Sequence, residues 1–402
     1  MANTYLSKNL PANQNSLHKW TYSGWVKRCD LGAEIYMFNF YDDDNNRGGF
    51  RFDSDDTLQY YDRIGASTVC NKKTNRKFRD TSAWYHVMVA VDKSVSSPDT
   101  KIYVNGVEET SFDTDVDYSQ NQTTKINDND NLYINSYNGS SNIASQIQSH
   151  VHWVSGYTLT PTTFGETDST TGEWKINTTP SVSYGTNGFW LFKDDAALTD
   201  QSGNSNDFTL GGGTLTNTED CPSNVFATLN SLYQQTTGEG VVLMNGNTRC
   251  YYNPDTSRSA FGTIAVGTGK YYFEAQVDTS GTAPVVGVVD LAWGGINGAA
   301  GAFHDNALNF GYSSSGVKTS GGVNTAYGDS YTAGDIIGVA IDKTNNKLYF
   351  AKNGVWQNSG DPTSGATGTG SAFNLASDTL YTSACRIRNG GDWKFNFGNG
   401  YF

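Results

Sequence analysis

His150-Val-His152 is the sharpest candidate for chemistry in this sequence. Residues i and i+2 of a β-strand point to one side, so the two imidazoles would face the same way, a spacing that zinc sites use. His86 alternates away from the Val87/Val89/Val91 face and could join them. No cysteine or carboxylate is placed with them in sequence. Two polar side chains on the wet face of an antiparallel sheet need no metal to explain them, and that is the preferred reading. Paired acid/base chemistry would need carboxylates that alternate on one strand face. Glu166-Thr-Asp168 begins such a pattern, but Thr171 stands where a further acid is needed, and the surroundings are rich in Thr and Gly. Glu274 and Asp278 lack a third acid. The five cysteines, Cys29, Cys70, Cys221, Cys250 and Cys385, form no C-x-x-C and no nucleophile-and-base pairing. No catalytic residue is assigned.

Three Asp-rich stretches could supply the clustered oxygens that calcium favours: YDDDNNRGG (41–49), INDNDN (126–131) and FKDDAALTDQSGN (192–204). The candidate ligands are Asp42, Asp44, Asp128 and Asp130. The first stretch imitates the opening of an EF-hand, but Arg47 occupies the position that needs glycine. The alternative is a set of solvated loops in an acidic protein. Among the nine tryptophans, Trp20, Trp25, Trp84 and Trp174 read as core. Trp293 and Trp356 lie at strand ends beside glycine-rich loops. With His304, Tyr312 and Tyr331 they are the candidate ligand-binding residues.

These residues must be positioned by strands. Apolar residues alternate with period two at Val87, Val89 and Val91, at Ile102 and Val104, at Val339 and Ile341, and at Leu348 and Phe350. Two stretches share one plan. VMVAVDKSVSSPDTKIYVNGVEE (87–109) and DIIGVAIDKTNNKLYFAKNGVWQ (335–357) each run strand, polar turn, strand, Asn-Gly, strand. Asn-Gly is a strong hairpin signal because a type I′ turn needs positive φ at both central residues. The flanking sequences do not match, so the shared piece alone does not establish a duplication. With 44 Gly, 8 Pro and no convincing helical periodicity, the chain reads as all-β, and 402 residues are comfortable for two domains.

A net charge of −13 argues against a nucleic-acid partner; the densest basic run is only NKKTNRKFR at 71–79. No apolar run approaches the roughly 18 residues of a membrane span. MANTYLSKNLPANQ shows no charged-then-apolar leader. Five scattered cysteines argue against a disulfide framework and for folding in a reducing cytoplasm.

WTYSGWVKRCDLG (20–32), AWYHVMVAVDK (83–93), KIYVNGVEETSF (101–112) and LTPTTFGETDSTTGEWK (159–175) resemble the laminin G-like, concanavalin A-like domains of marine bacteriophage virion proteins. GKYYFEAQVD (269–278), VGVVDLAW (286–293), LNFGYSSSG (308–316), GDIIGVAIDKTNNKLYFAKNGVW (334–356) and WKFNFG (393–398) resemble a SPRY domain. The resemblance implies two concanavalin-like antiparallel β-sandwiches of jelly-roll type in tandem. The expected domains are a first sandwich at 1–180, a connecting segment at 181–240 partly packed on it, and a SPRY-like sandwich at 241–402. Laminin G-like domains often bind calcium, so calcium is the one cofactor considered. Members usually have a further strand before YLSKNL, and GFWLF (188–192) is expected to supply it from the other end. The strand at SQIQSHVHW lacks the acidic residue usual there, and LYTSACRI (380–387) lacks the proline often found in its SPRY counterpart. The implied function is non-enzymatic: a fibre, tail or head-surface component, folded in the host cytoplasm and located in the virion. Its expected partners are host-surface glycan or other virion proteins, and a homo-oligomer is expected. The alternatives are a glycan-processing enzyme and a purely structural assembly protein.

Overall fold

The computed structural model describes residues 4–10, 18–127, 131–194, 197–234, 240–293 and 302–398. Among them every regular element is a β-strand or a three-residue 3-10 turn. The chain divides into two compact units, Met1–Val225 and Phe226–Phe402. Each is a sandwich of two antiparallel sheets.

In the first unit one sheet runs, edge to edge, Phe112–Val116, Ser67–Lys77, Thr57–Ile64, Asn46–Phe52, Ile35–Asp43, Asn131–Ile134, Tyr5–Asn9, Thr209–Gly212. The other runs Phe189–Leu191, Gln146–Ser155, Lys19–Arg28, Trp84–Asp92, Lys101–Val104, Val107–Glu108. Inward residues of both sheets, among them Trp20, Phe38, Phe50, Val89 and Trp153, form one core. Phe189–Leu191 pairs with the strand Gln146–Ser155, in the register Val151 with Leu191 and Trp153 with Phe189. Phe189–Leu191 therefore closes a sheet edge, as an apolar run that would otherwise be exposed should, but not beside YLSKNL: the strand next to Tyr5–Asn9 at the edge of the other sheet is Thr209–Gly212. The expected connecting segment at 181–240 is not a separate piece. Thr209–Gly212 is an edge strand of the first unit, while Leu229–Gln234 pairs with Arg258–Val266 in the second.

The second unit packs Leu229–Gln234, Arg258–Val266, Tyr381–Ile387, Val285–Asp290, Phe310–Ser313, Val317–Ser320 and Val323–Ala326 against a sheet centred on Gly391–Asn396, Lys270–Thr279, Ile336–Asp342 and Lys347–Lys352. Val286, Val288, Tyr312, Val339, Phe350 and Trp393 belong to its core.

The two Asn-Gly turns are alike down to their hydrogen bonds. Asn105 and Gly106 have φ of 49° and 79°, and Asn353 and Gly354 have φ of 48° and 81°. Asn105 N–H donates to the His86 carbonyl at 2.9 Å, and its Oδ1 accepts the His86 N–H at 2.8 Å. Asn353 repeats both bonds with Ile336, at 2.8 Å each. The Asn side chain thus acts as a surrogate carbonyl that extends the neighbouring ladder by one rung. This local physics suffices to explain why two sandwiches share the motif. The turns differ in surroundings: a Cβ at Gly106 would lie 2.4 Å from the Trp174 ring, whereas one at Gly354 would meet nothing within 4 Å. Gly354→Ala is expected to cost about 1 kcal/mol through positive-φ strain alone. Gly106→Ala should cost clearly more, because Trp174 must also move. Urea unfolding of the two variants checks this, and equal losses would contradict it.

Candidate functional site

The site begins with a hairpin and its neighbours. In Asn46–Phe52 and Thr57–Ile64 the core-facing residues are Phe50, Phe52, Leu58 and Tyr60. Alternation turns Arg47, Gly49, Arg51, Gln59, Tyr61 and Arg63 outward. Register places Arg47 opposite Arg63, Gly49 opposite Tyr61, and Arg51 opposite Gln59. On one side the rows continue to Tyr41, Asn39 and Tyr36. On the other they continue to Thr68, Asn71 and Lys73. The result is a polar and aromatic outer face on which a groove of about 340 Å³ opens. Tyr137, from the loop after Asn131–Ile134, also lines it.

Its parts are held differently. Arg51 is fully engaged: 2.6 Å to Glu34, 2.6 Å to the Tyr36 hydroxyl and 3.1 Å to Gln59 Oε1. Its guanidinium lies 5.3 Å from the Tyr61 ring centroid. Gly49 leaves room for the Tyr61 hydroxyl to donate to Asn39 Oδ1 at 2.9 Å, and a Cβ there would lie 2.4 Å from that same oxygen. Tyr137 donates to Asp44 at 2.7 Å and carries the Arg47 guanidinium 5.4 Å from its ring centroid. Arg47 is tethered on one side, with Nη1 on the Asp44 carbonyl and 3.8 Å from the Asp44 carboxylate. The Nε groups of Arg47 and Arg63 are buried without a hydrogen-bond partner among the described residues.

None of the sequence candidates lies here except Asp44, which serves as the acceptor for Tyr137. The stretch 41–49 is a hairpin turn in which Asp43 accepts the N–H groups of Asn45 and Asn46. Asp42 faces Lys125 at 3.5 Å, so Asp42 and Asp44 engage different partners. Asp128 and Asp130 lie outside the described residues. Among the described residues no group of three His, Cys, Asp or Glu side chains is placed to hold a metal ion.

The histidines are not on a wet face, which corrects the sequence reading. The outer face of their sheet is covered by the returning segment, through Phe164, Tyr184 and Trp190. His150 and His152 both pack on Trp190, with centroids 5.9 and 4.8 Å away. A register shift lies between Ser149 and His152, and His150 has φ of 48°. His152 Nδ1 bonds the Tyr184 hydroxyl at 2.8 Å. His86 Nδ1 accepts the Trp174 indole N–H at 3.1 Å, so its proton sits on Nε2 and is donated to Ser23 Oγ at 2.8 Å. Trp20, Trp25 and Trp84 are buried, and Trp174 is half-buried against His86. Glu166 and Asp168 belong to an exposed hairpin; Lys175 bonds Asp168 and holds its carboxyl below the usual range.

The SPRY candidates do not converge. Tyr312 and Tyr331 are core residues; the Tyr331 hydroxyl donates to the carbonyls of Pro284 and Tyr312. Their loop-like sequence context concealed rings that turn inward. Trp293 stands on a cluster around Phe261 and Phe303, on the outer side of one sheet. His304, half-buried, packs edge-on to Phe303. Trp356 stands on the other sheet, against Tyr272 and Tyr349.

Comparison with known proteins agrees with this architecture. The family described as the concanavalin A-like lectin/glucanases superfamily (Laminin_G_3) matches residues 3–149, and the SPRY domain family matches residues 270–399. The chain therefore carries a laminin G-like, concanavalin-like domain followed by a SPRY domain. Both are binding folds. The ATP-dependent RNA helicase Ddx1 of Drosophila melanogaster is 31% identical over 136 residues, which is 33% of this chain and 16% of the helicase. The chain thus spans about a sixth of the length of that curated relative. Among solved structures, the SPRY domain of human HERC1 aligns with 16% identity and a TM-score of 0.33, covering 42% of this chain and 98% of that one. The TRIM65 PSpry domain aligns with 9% identity and a TM-score of 0.32, covering 42% and 89%.

Proposed function

We propose that this protein is a non-enzymatic adhesin displayed on a bacteriophage particle, as a fibre, tail or head-surface component, and that its first domain holds a host-surface glycan in the arginine–tyrosine groove. The groove carries the reading. Its walls are guanidinium, phenol and amide groups, most of them held by their own hydrogen bonds, the donor, acceptor and ring-face set that a hydroxyl-rich ligand needs. The phage assignment draws its support from the motif at 159–175 and from the order of the two domains. Weak single-site sugar contacts gain strength when several copies engage one surface, so the working form is a homo-oligomer or a chain held by another virion protein.

A glycan array probed with the full chain tests the binding role, with Tyr61→Ala as the matched variant and thermal melting to confirm that it folds. Binding to at least one bacterial surface glycan that falls at least ten-fold in Tyr61→Ala is the expected result. A chain that binds no glycan but is found in purified particles by mass spectrometry would replace adhesion with assembly. Its absence from particles would overturn the virion role.

A further inference from the structure

Resting on the glycan reading above, we infer that the unit gripped in the groove is a carboxylate-bearing sugar, held between Arg47 and Arg63. The two arginines sit directly opposite each other on neighbouring strands. Like charges in that position repel and destabilise a sheet pair. An acidic cross-strand neighbour would offset that repulsion. Here the next residue along the row is Thr68. Arg63 has no carboxylate within ion-pair distance among the described residues, whereas Arg51, two rows away, has both Glu34 and Asp53. Arg47 has Asp44 at only 3.8 Å, through one nitrogen. The Nε of each is buried with no acceptor. Both guanidiniums line the groove, and the planar donor forks of two arginines match the two oxygens of a carboxylate. Around them stand Tyr61, Asn71 and Tyr137, groups that suit ring hydroxyls and a ring face. The net charge of −13 opposes long polyanions such as nucleic acid. A local positive spot in an acidic protein instead favours a single charged unit within a polar chain.

Titration calorimetry of the full chain at low ionic strength decides the matter. The probes are a tetrasaccharide alternating glucuronic acid with N-acetylglucosamine, its methyl ester, chitotetraose, and inorganic phosphate. The acid is expected to bind at least ten-fold more tightly than the ester or chitotetraose, and more tightly than phosphate. Arg63→Gln should reduce affinity for the acid about ten-fold and leave the ester unchanged. Its melting temperature should not fall, because a repulsion is removed. Arg47→Gln should act in the same direction. Equal binding of acid and ester would overturn the carboxylate fork and leave the glycan reading standing. Phosphate binding as tightly as the acid would make this a simple anion site and defeat the sugar assignment. No binding by any saccharide, together with an empty array, would overturn both.

Discussion

Lowering the pH from 7 to 5 is expected to destabilise the first domain by about 4 kcal/mol. The cause is its buried histidines. Burial pushes His86 down to about 3 and His150 down to about 4. His152 falls well below its usual value, through burial and then the neighbouring imidazoles. Unfolded, each returns to about 6.5. Between the two values the unfolded chain takes up protons that the folded one refuses. The stability these groups contribute is therefore complete above pH 6.5 and is lost as pH falls toward the folded values. At pH 5 that amounts to about 2 kcal/mol per histidine, roughly 6 in all. Asp62 works the other way. Burial raises its carboxyl to about 7, against hydrogen bonds from the Lys125 N–H and the Tyr118 hydroxyl. It keeps its proton in the folded state and returns about 2 kcal/mol over the same range. The geometry agrees with the sign for His86: a second proton on Nδ1 would face the Trp174 N–H, two donors in one contact. Calorimetry at pH 7 and 5 should show the first domain's transition falling further than the second's, since His304 is the one histidine of the second unit. His150→Gln should flatten the dependence by about one proton. A first transition indifferent to this change of pH would contradict the account.

The strands were legible because period-two patterning and Asn-Gly turns are local. Val87/Val89/Val91 and the two hairpins needed only neighbouring residues to be read. The expectation of two β-sandwiches holds. The site was harder, since a groove is made by register between strands, and register does not show in one strand. A signal was nonetheless present. RGGFRF (47–52) and LQYYDRI (58–64) alternate arginine, tyrosine and glutamine against aromatic and aliphatic residues, an outward face richer in large polar groups than solvation requires. The histidines were misplaced for a different reason. Exposure of an outer sheet face depends on what later chain returns to cover it, and Phe164, Tyr184 and Trp190 come from outside the strand. Tyr312 and Tyr331 failed likewise, since loop composition says nothing of whether a ring turns inward.

Asp220→Ala is expected to cost the first domain about 3–5 kcal/mol. Lys27 lies on the outer face of its sheet, where the solvent would ordinarily receive it, yet its side chain is 1% exposed. Its ammonium lies 2.7 Å from Asp220, whose side chain is 0% exposed and whose second oxygen accepts the Trp84 indole N–H at 2.9 Å. The partner thus comes from 193 residues further along, in a stretch the sequence reading assigned to a connector. Removing one member of a buried pair leaves the other charged, dehydrated and unmatched, which is the costly case. Replacing both is different. Lys27→Met with Asp220→Leu removes two desolvation penalties along with the attraction, and that double variant should lie within about 2 kcal/mol of the wild type, well above Asp220→Ala. The Trp84 N–H would then lack its acceptor, a residual loss of about 1 kcal/mol or more that Lys27→Met with Asp220→Asn should recover. Urea unfolding of the full chain, followed through the first domain's transition, separates the variants. If Asp220→Ala costs less than about 1 kcal/mol, residues near 220 do not hold the sheet, and the first domain ends well before Val225.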